Sequence, residues 1–286
     1  MFKRESIHQP RRGNVNLPPN PQTSQPSSNP PEADGWSFFG RIYCISLSTR
    51  PDRRRSAMAE FERVGLADRV EWMIVEKHPS NSEQGIYESH IACLRAGLDA
   101  GADTVLIFED DVLLSGFSDE VLARSIAFMQ SDVTWNAFFF GGWVNASRRT
   151  RTPSVVRVNY RCSAHAYVLH RRFAQRVVER PWDGQAFDDV LRAMTGEHAY
   201  AAYPLFAFQS NSPTDNDKRI WIDRMRRAIG GSRVLQRWNE FSSLYFRELV
   251  IIHVLVVLSM VLFAVLAHRG HWFRHEPLDF LFRPGS

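Results

Sequence analysis

Short apolar runs alternate with amphipathic stretches through the middle of this chain. Arg41 to Leu47 (RIYCISL) is apolar and β-branched enough for a central strand. A polar turn, Ser48 to Arg53, leads into a helix whose Met58, Phe61 and Val64 fall at three-residue steps on one face. Val70 to Val75 (VEWMIV) repeats the strand pattern, and a polar loop from Lys77 to Gly85 is placed to lie over a ligand. Tyr87, Ile91, Leu94 and Leu98 then mark the inner face of a second helix, with Ser89 and His90 in its first turn and Gly101 at its end.

Thr104 to Leu114 (TVLIFEDDVLL) is a four-residue apolar core followed without a spacer by Glu109, Asp110 and Asp111. Such a run belongs inside a parallel sheet. Beyond it the pattern predicts a helix from about Asp119 to Gln130 with Leu122, Ile126 and Met129 inward. Next comes a strand from Trp135 to Phe140, closed by Gly141 and Gly142. Those glycines suit either close backbone approach to a ligand or a plain turn. Ser154 to Tyr160 and Ser163 to Leu169 read as two adjoining strands, with helices beginning near Arg171 and Phe187. Tyr200 to Gln209 is a last strand, and Pro204 within it predicts an edge. Strands alternating with helices predict an α/β fold.

The two ends differ from this middle. Met1 to Gly35 is rich in Pro, Asn, Ser and Gln, which predicts a disordered arm; no apolar stretch follows its basic start, so a cleaved signal peptide is not expected. Leu249 to Ala267 holds no formally charged residue and as a helix rises roughly 28 Å, close to the hydrocarbon thickness of a bilayer. Lys218, Arg219, Arg224, Arg226, Arg227, Arg233, Arg237 and Arg247 precede this span, against Arg269, Arg274 and Arg283 after it. That bias predicts a single-pass protein with its catalytic domain on the cytoplasmic side and residues 268–286 as a short tail outside. Residues 216–248 read as a basic juxtamembrane segment, in which Ile220, Trp221, Ile222, Met225 and Ile229 interleave with arginines as in either a surface-lying amphipathic helix or an ordinary packed one. Asn145-Ala146-Ser147 is a formal glycosylation sequon, which a cytoplasmic domain leaves unmodified.

Composition narrows the class. The 286 residues are 44% hydrophobic and 12% aromatic, enough for one sizeable domain, bounded here at 36–215. A net charge of +4, with its basic residues late in the chain, points to a membrane and not to nucleic acid. Three cysteines, Cys44, Cys93 and Cys162, without CxxC spacing supply neither a disulfide framework nor a zinc site, and favour a reducing compartment.

The candidate chemistry gathers at strand ends, where ligands of open α/β sheets sit. On an extended segment Glu109 and Asp111 point the same way and suit one hard cation carrying a diphosphate, with Asp110 facing elsewhere. The plainer alternative is that these acids cap the next helix or face water. Arg53, Arg54 and Arg55 suit phosphate or simply line a solvated helix face. Asp188 and Asp189 open a helix, where the dipole favours them; beside a sugar acceptor, one would serve as general base on its hydroxyl.

Taken in order, the segments ISLSTRPDRR, GIYESH, VLIFEDDV, SAHAYVLHRRFA, FDDVL and YPLFAFQSNS make the chain resemble glycosyltransferase family 25, the lipooligosaccharide and procollagen galactosyltransferases, over about Arg41 to Ser212. The resemblance implies a Rossmann-like A-type glycosyltransferase fold. It also implies Mn(II) or Mg(II) at Glu109 and Asp111, and an inverting transfer of a hexose such as galactose from a nucleotide-sugar donor to a glycan or glycolipid. It puts donor recognition at Ser48, Arg50, Arg53 and Asp110, and Ser89 and His90 match a further motif. By analogy with two-carboxylate sugar chemistry the base is Asp188 or Asp189. The chain departs from the pattern in its small size, its proline-rich arm and its apolar carboxyl-terminal segment. The competing function is a non-catalytic, membrane-anchored sugar-binding or scaffold protein that keeps the fold.

Overall fold

The computed structural model describes residues 3–5, 35–213, 215 and 231–274. Of the arm predicted as disordered, Met1 to Gly35, the structure describes Lys3–Glu5, which form a strand and not a disordered segment, and Gly35; the rest, and the predicted amphipathic segment around Ile220 to Ile229, lie outside the described residues. The chain divides into two compact units, Met1–Leu244 and Tyr245–Ser286.

A seven-stranded mixed sheet carries the first unit. It comprises β1 (Lys3–Glu5), β2 (Arg41–Leu47), β3 (Val70–Val75), β4 (Thr104–Glu109), β6 (Ala137–Arg149), β7 (Val155–His170) and β8 (Ala199–Ala202), ordered β1-β3-β2-β4-β7-β6-β8. A two-residue strand β5 (Val112–Leu113) pairs separately with β9 (Phe208–Gln209). β3, β2 and β4 run parallel, as their apolar runs require, and β7 lies antiparallel to β4. Helices α1 (Pro51–Arg63) and α2 (Ser82–Asp99) make the crossovers between the parallel strands. α3 (Asp119–Ser131), α4 (Arg171–Val178) and α5 (Phe187–Thr195) follow.

Alternation along the strands builds two cores. Tyr43, Val105 and Ile107 face α2, α4 and α5 on one side, whereas Ile42, Cys44, Leu106 and Phe108 meet α1 and α3 on the other. Val105, Leu106, Ile107 and Phe108 are completely buried. Each such side chain contributes about 1.5–3 kcal/mol, which fixes the strand that ends in the acids.

Four expectations need correction. α2 starts at Ser82, capped by the Asn81 side chain accepting from the Glu83 N–H, so Ser89 and His90 lie well inside the helix and not in its first turn. β6 does not stop at Gly141 and Gly142 but runs through them to Arg149, with irregular register against β7. Gly141 has no room for a side chain, because a Cβ there overlaps the Ala207 carbonyl and the His165 ring. Glycine here serves strand packing, neither a turn nor a ligand.

The two strands expected between Ser154 and Leu169 are one, β7, bent where Ser163 takes φ 74°. β8 is paired on both sides, to β6 through Ala137–Phe139 and to the start of β7 through Val155–Arg157, so Pro204 ends an interior strand and marks no edge. The long β6–β7 hairpin curls over β8 and covers the side that the proline was expected to leave bare.

The first unit closes with α6 (Gly231–Leu244), which packs against β6 and β9 although the sequence assigned it to a juxtamembrane segment. The second unit holds α7 (Phe246–Arg274). Among the described residues it is the one helix long and apolar enough to cross a membrane, over Phe246–His268 with mean hydropathy 3.1 and none of the span's apolar window buried.

Candidate active site

The carboxyl ends of β2, β3 and β4 open into a cavity of about 570 Å³. Its walls bring together Arg53 of α1, Ser89 and His90 of α2, Glu109, Asp110 and Asp111 after β4, and Asp188 of α5. Ser48, Arg50 and Asp189 do not line it.

The acids do not share one direction. The strand ends at Glu109 and the backbone turns at Asp110 and Asp111, so the extended geometry that would align Glu109 with Asp111 does not hold there. Asp110 is buried and turned inward, its Oδ2 accepting from the Ser46 hydroxyl at 2.6 Å and its Oδ1 from Arg53 Nη1 at 3.2 Å. Burial raises its pKa, against the opposing pull of Ser46 and Arg53. Arg53, whose side chain is only 11% exposed, also stands 4.0 Å from Asp111 Oδ2 and 3.5 Å from Asp215 Oδ2.

The three consecutive arginines of α1 therefore separate. Arg53 enters the site, Arg54 donates to the Leu47 and Ser48 carbonyls at the end of β2, and Arg55 stays in solvent. Arg50 lies outside the cavity lining, paired with Asp52 and Asp215. Ser48 donates to Glu76 Oε2 at 2.7 Å.

Glu109 meets His90, whose Nε2 is 3.4 Å from Oε1. The His90 ring stacks on Phe187 at 4.2 Å and its Nδ1 lies 2.9 Å from the Tyr167 hydroxyl. Burial depresses the His90 pKa to about 4, so the ring is neutral near pH 7. Tyr167 then donates to Nδ1 and the Nε2–H faces Glu109. Burial likewise raises the Glu109 pKa to about 7, with Asp188 and Asp110 adding to the rise and His165 and Arg53 opposing it.

Asp188 and Asp189 part company. Asp188 Oδ1 accepts from the Tyr160 hydroxyl at 2.6 Å and from the Ala164 N–H at 3.0 Å, which holds the carboxylate against the bend in β7 and at the cavity wall. Asp189 points to the surface, 2.8 Å from Arg192. Tyr160 is fully buried and stacks on Phe139 at 4.3 Å, so its hydroxyl has a fixed position.

Among the described residues no three His, Cys, Asp or Glu side chains group into a complete metal cage. Glu109 and Asp111 both line the cavity, and carboxylate oxygens are the ligand type that Mg(II) or Mn(II) takes.

Several lining residues escaped the sequence reading. Glu76 follows the apolar run of β3 as Glu109 follows that of β4, and the rule that found the one would have found the other. Ser46 and Asp215 gave no local signal, and neither did Tyr160, which holds Asp188 without lining the cavity itself; their partners lie 64, 165 and 28 residues away.

No family model matches the chain, so the likeness to glycosyltransferase family 25 rests on the sequence segments alone. No curated protein matches it either. Solved structures do. A197 from STIV is similar at 13% identity with a TM-score of 0.42, over 59% of this chain and 85% of that one. A glycosyltransferase involved in the glycosylation of the major capsid of PBCV-1 is similar at 12% identity and TM-score 0.37, over 65% and 99%. A mannose-1-phosphate geranyltransferase from Thermus thermophilus is similar at 11% identity and TM-score 0.34, over 57% and 73%.

Proposed function

We propose that the chain is a membrane-anchored glycosyltransferase of A-type fold that moves a hexose from a nucleotide sugar to a glycan or glycolipid, with inversion. The observation that carries this reading is one cavity lined by Glu109, Asp111 and Asp188 together. Glu109 and Asp111 would hold Mn(II) or Mg(II), and the bound ion would neutralise charge developing on the departing diphosphate. Arg53 presents a guanidinium at the same place and would donate to phosphate oxygens in exchange for the carboxylates it now meets. Asp188, held by Tyr160 and Ala164, would take the proton from the acceptor hydroxyl as it attacks from the opposite face of the sugar. His90 would orient Glu109 through its Nε2–H. Ser89 donates to the Gly85 carbonyl within its own helix, so its part is to shape the wall beside His90.

For the anchor, α7 supplies the span, and the excess of Lys and Arg before it favours the cytoplasmic side for the folded unit. The full chain in detergent should release nucleoside diphosphate from some nucleotide sugar only with a divalent ion. Asp111→Ala and Asp188→Asn should each abolish that release, whereas Asp189→Asn should retain it. Full activity in Asp111→Ala would overturn the assignment. Binding of a nucleotide sugar without any turnover would favour the sugar-binding scaffold instead.

A further inference from the structure

Helix α6 is built inside out. Its buried face is polar, with Ser232, Gln236, Glu240 and Ser243 recurring at helical spacing. These side chains bond the sheet behind them. Gln236 Nε2 donates to the Ala207 carbonyl at 2.9 Å, Glu240 Oε1 accepts from the Leu205 N–H at 2.7 Å, and the Ser243 and Ser147 hydroxyls meet at 2.9 Å. Asn239 joins them, accepting from the Val144 N–H and donating to its carbonyl. The opposite face is apolar. Val234, Trp238 and Phe241 follow at steps of four and three and are 59%, 62% and 43% exposed. The pattern is the reverse of a helix that turns its outer side to water.

We propose that this outer face lies in the headgroup region of the bilayer that α7 spans, making α6 an interfacial helix that seats the folded unit on lipid. The inference rests on reading α7 as a membrane anchor. The occupant follows from connectivity: α6 ends at Leu244 and the apolar span begins at Phe246, so at most about 7 Å of backbone separates the end of α6 from the start of the span. The side chains are those that interfaces select. A tryptophan stands at the centre of the stripe, and Arg233 and Arg247 are exposed on either side of it in sequence, where anionic headgroups would pair with them. An interfacial helix carries its apolar face about 5–10 Å into the headgroup and acyl boundary.

The test uses the full chain in lipid nanodiscs containing phosphatidylglycerol, with Trp238→Phe as the reference. The difference between the two emission spectra isolates Trp238 from the other tryptophans. The expected result is a blue-shifted Trp238 component that loses most of its intensity to lipids brominated near the headgroup end of the acyl chain, and little to iodide in the buffer. A component quenched by iodide and untouched by brominated lipid would overturn the proposal. So would one that turns blue only when several copies share a disc, which would assign the face to a second copy. Resistance of both proteins to alkaline carbonate reads α7 separately. A chain retained by the membrane with Trp238 in water refutes the docking face alone, and a chain that carbonate extracts refutes the anchor and the docking face together.

Discussion

Glu109 is the carboxyl whose ionisation the cavity most visibly resists, and that resistance has a cost that can be measured. Its pKa rises from an ordinary 4.5 to about 7, chiefly through burial. Between those values the folded chain keeps a proton that the unfolded chain has released. Folding is therefore penalised progressively as pH climbs through the window, and the full penalty is present above about pH 7. At about 1.4 kcal/mol per pH unit the ceiling is about 3 kcal/mol. The Glu109 side chain is 30% exposed, and solvent screening reduces the ceiling to about 1–2 kcal/mol.

Glu109→Gln removes the ionisation while keeping the shape. Burial lowers the pKa of His90 to about 4 and also lowers that of His165, which makes stability rise with pH over a partly overlapping range. Subtracting wild type from variant leaves the titration of Glu109 together with its coupling to these two neighbours. Urea unfolding followed by near-ultraviolet circular dichroism, in detergent with chelator present, should find the two proteins equal near pH 4. By about pH 8 the variant should be the more stable by about 1–2 kcal/mol. Millimolar Mn(II) should close the gap at the upper pH by favouring the ionised wild type. A gap that does not change with pH, or a variant less stable than wild type at the upper pH, would refute the reasoning.

Three further outcomes are expected. Tyr160→Phe removes the O–H donated to Asp188 but leaves the Ala164 N–H in place. It should lower turnover roughly 10- to 100-fold with little change in donor KM, read by initial rates across donor concentration. Gly141→Ala forces a Cβ into the Ala207 carbonyl and the His165 ring and should cost about 2–3 kcal/mol, read by the same urea titration. Asn145 is exposed on β6, so expression in glycosylating cells should leave it unmodified if the folded unit is cytoplasmic; a glycan found there by mass spectrometry would reverse the orientation.

The parallel part of the sheet was legible because its signals are local. The runs in β2, β3 and β4 are continuous and apolar, and the acids stand directly after the last of them. Where tertiary contacts decide, the sequence misled. The glycines within β6 look like a terminus because they carry no side chain, yet the close approach of Ala207 and His165 is what requires them. Ser163 bends β7 without breaking it, and a polar residue at φ 74° imitates a loop. Asp188 and Asp189 look alike in sequence, and what separates their positions is a tyrosine 28 residues earlier that meets Asp188. α6 gave no helix signal of its own, because its buried side chains are polar and its exposed ones apolar, the reverse of the usual pattern.

That polar face of α6 also limits how the protein can be shortened for study in solution. A version ended at residue 215, just short of the basic stretch, would strip the Leu205 N–H, the Ala207 carbonyl and both backbone groups of Val144 of the partners that α6 provides. It would also uncover the strand that carries Trp143 into the cavity. A fragment for work in solution should instead end after Leu244, with the outward Trp238 and Phe241 exchanged for polar residues.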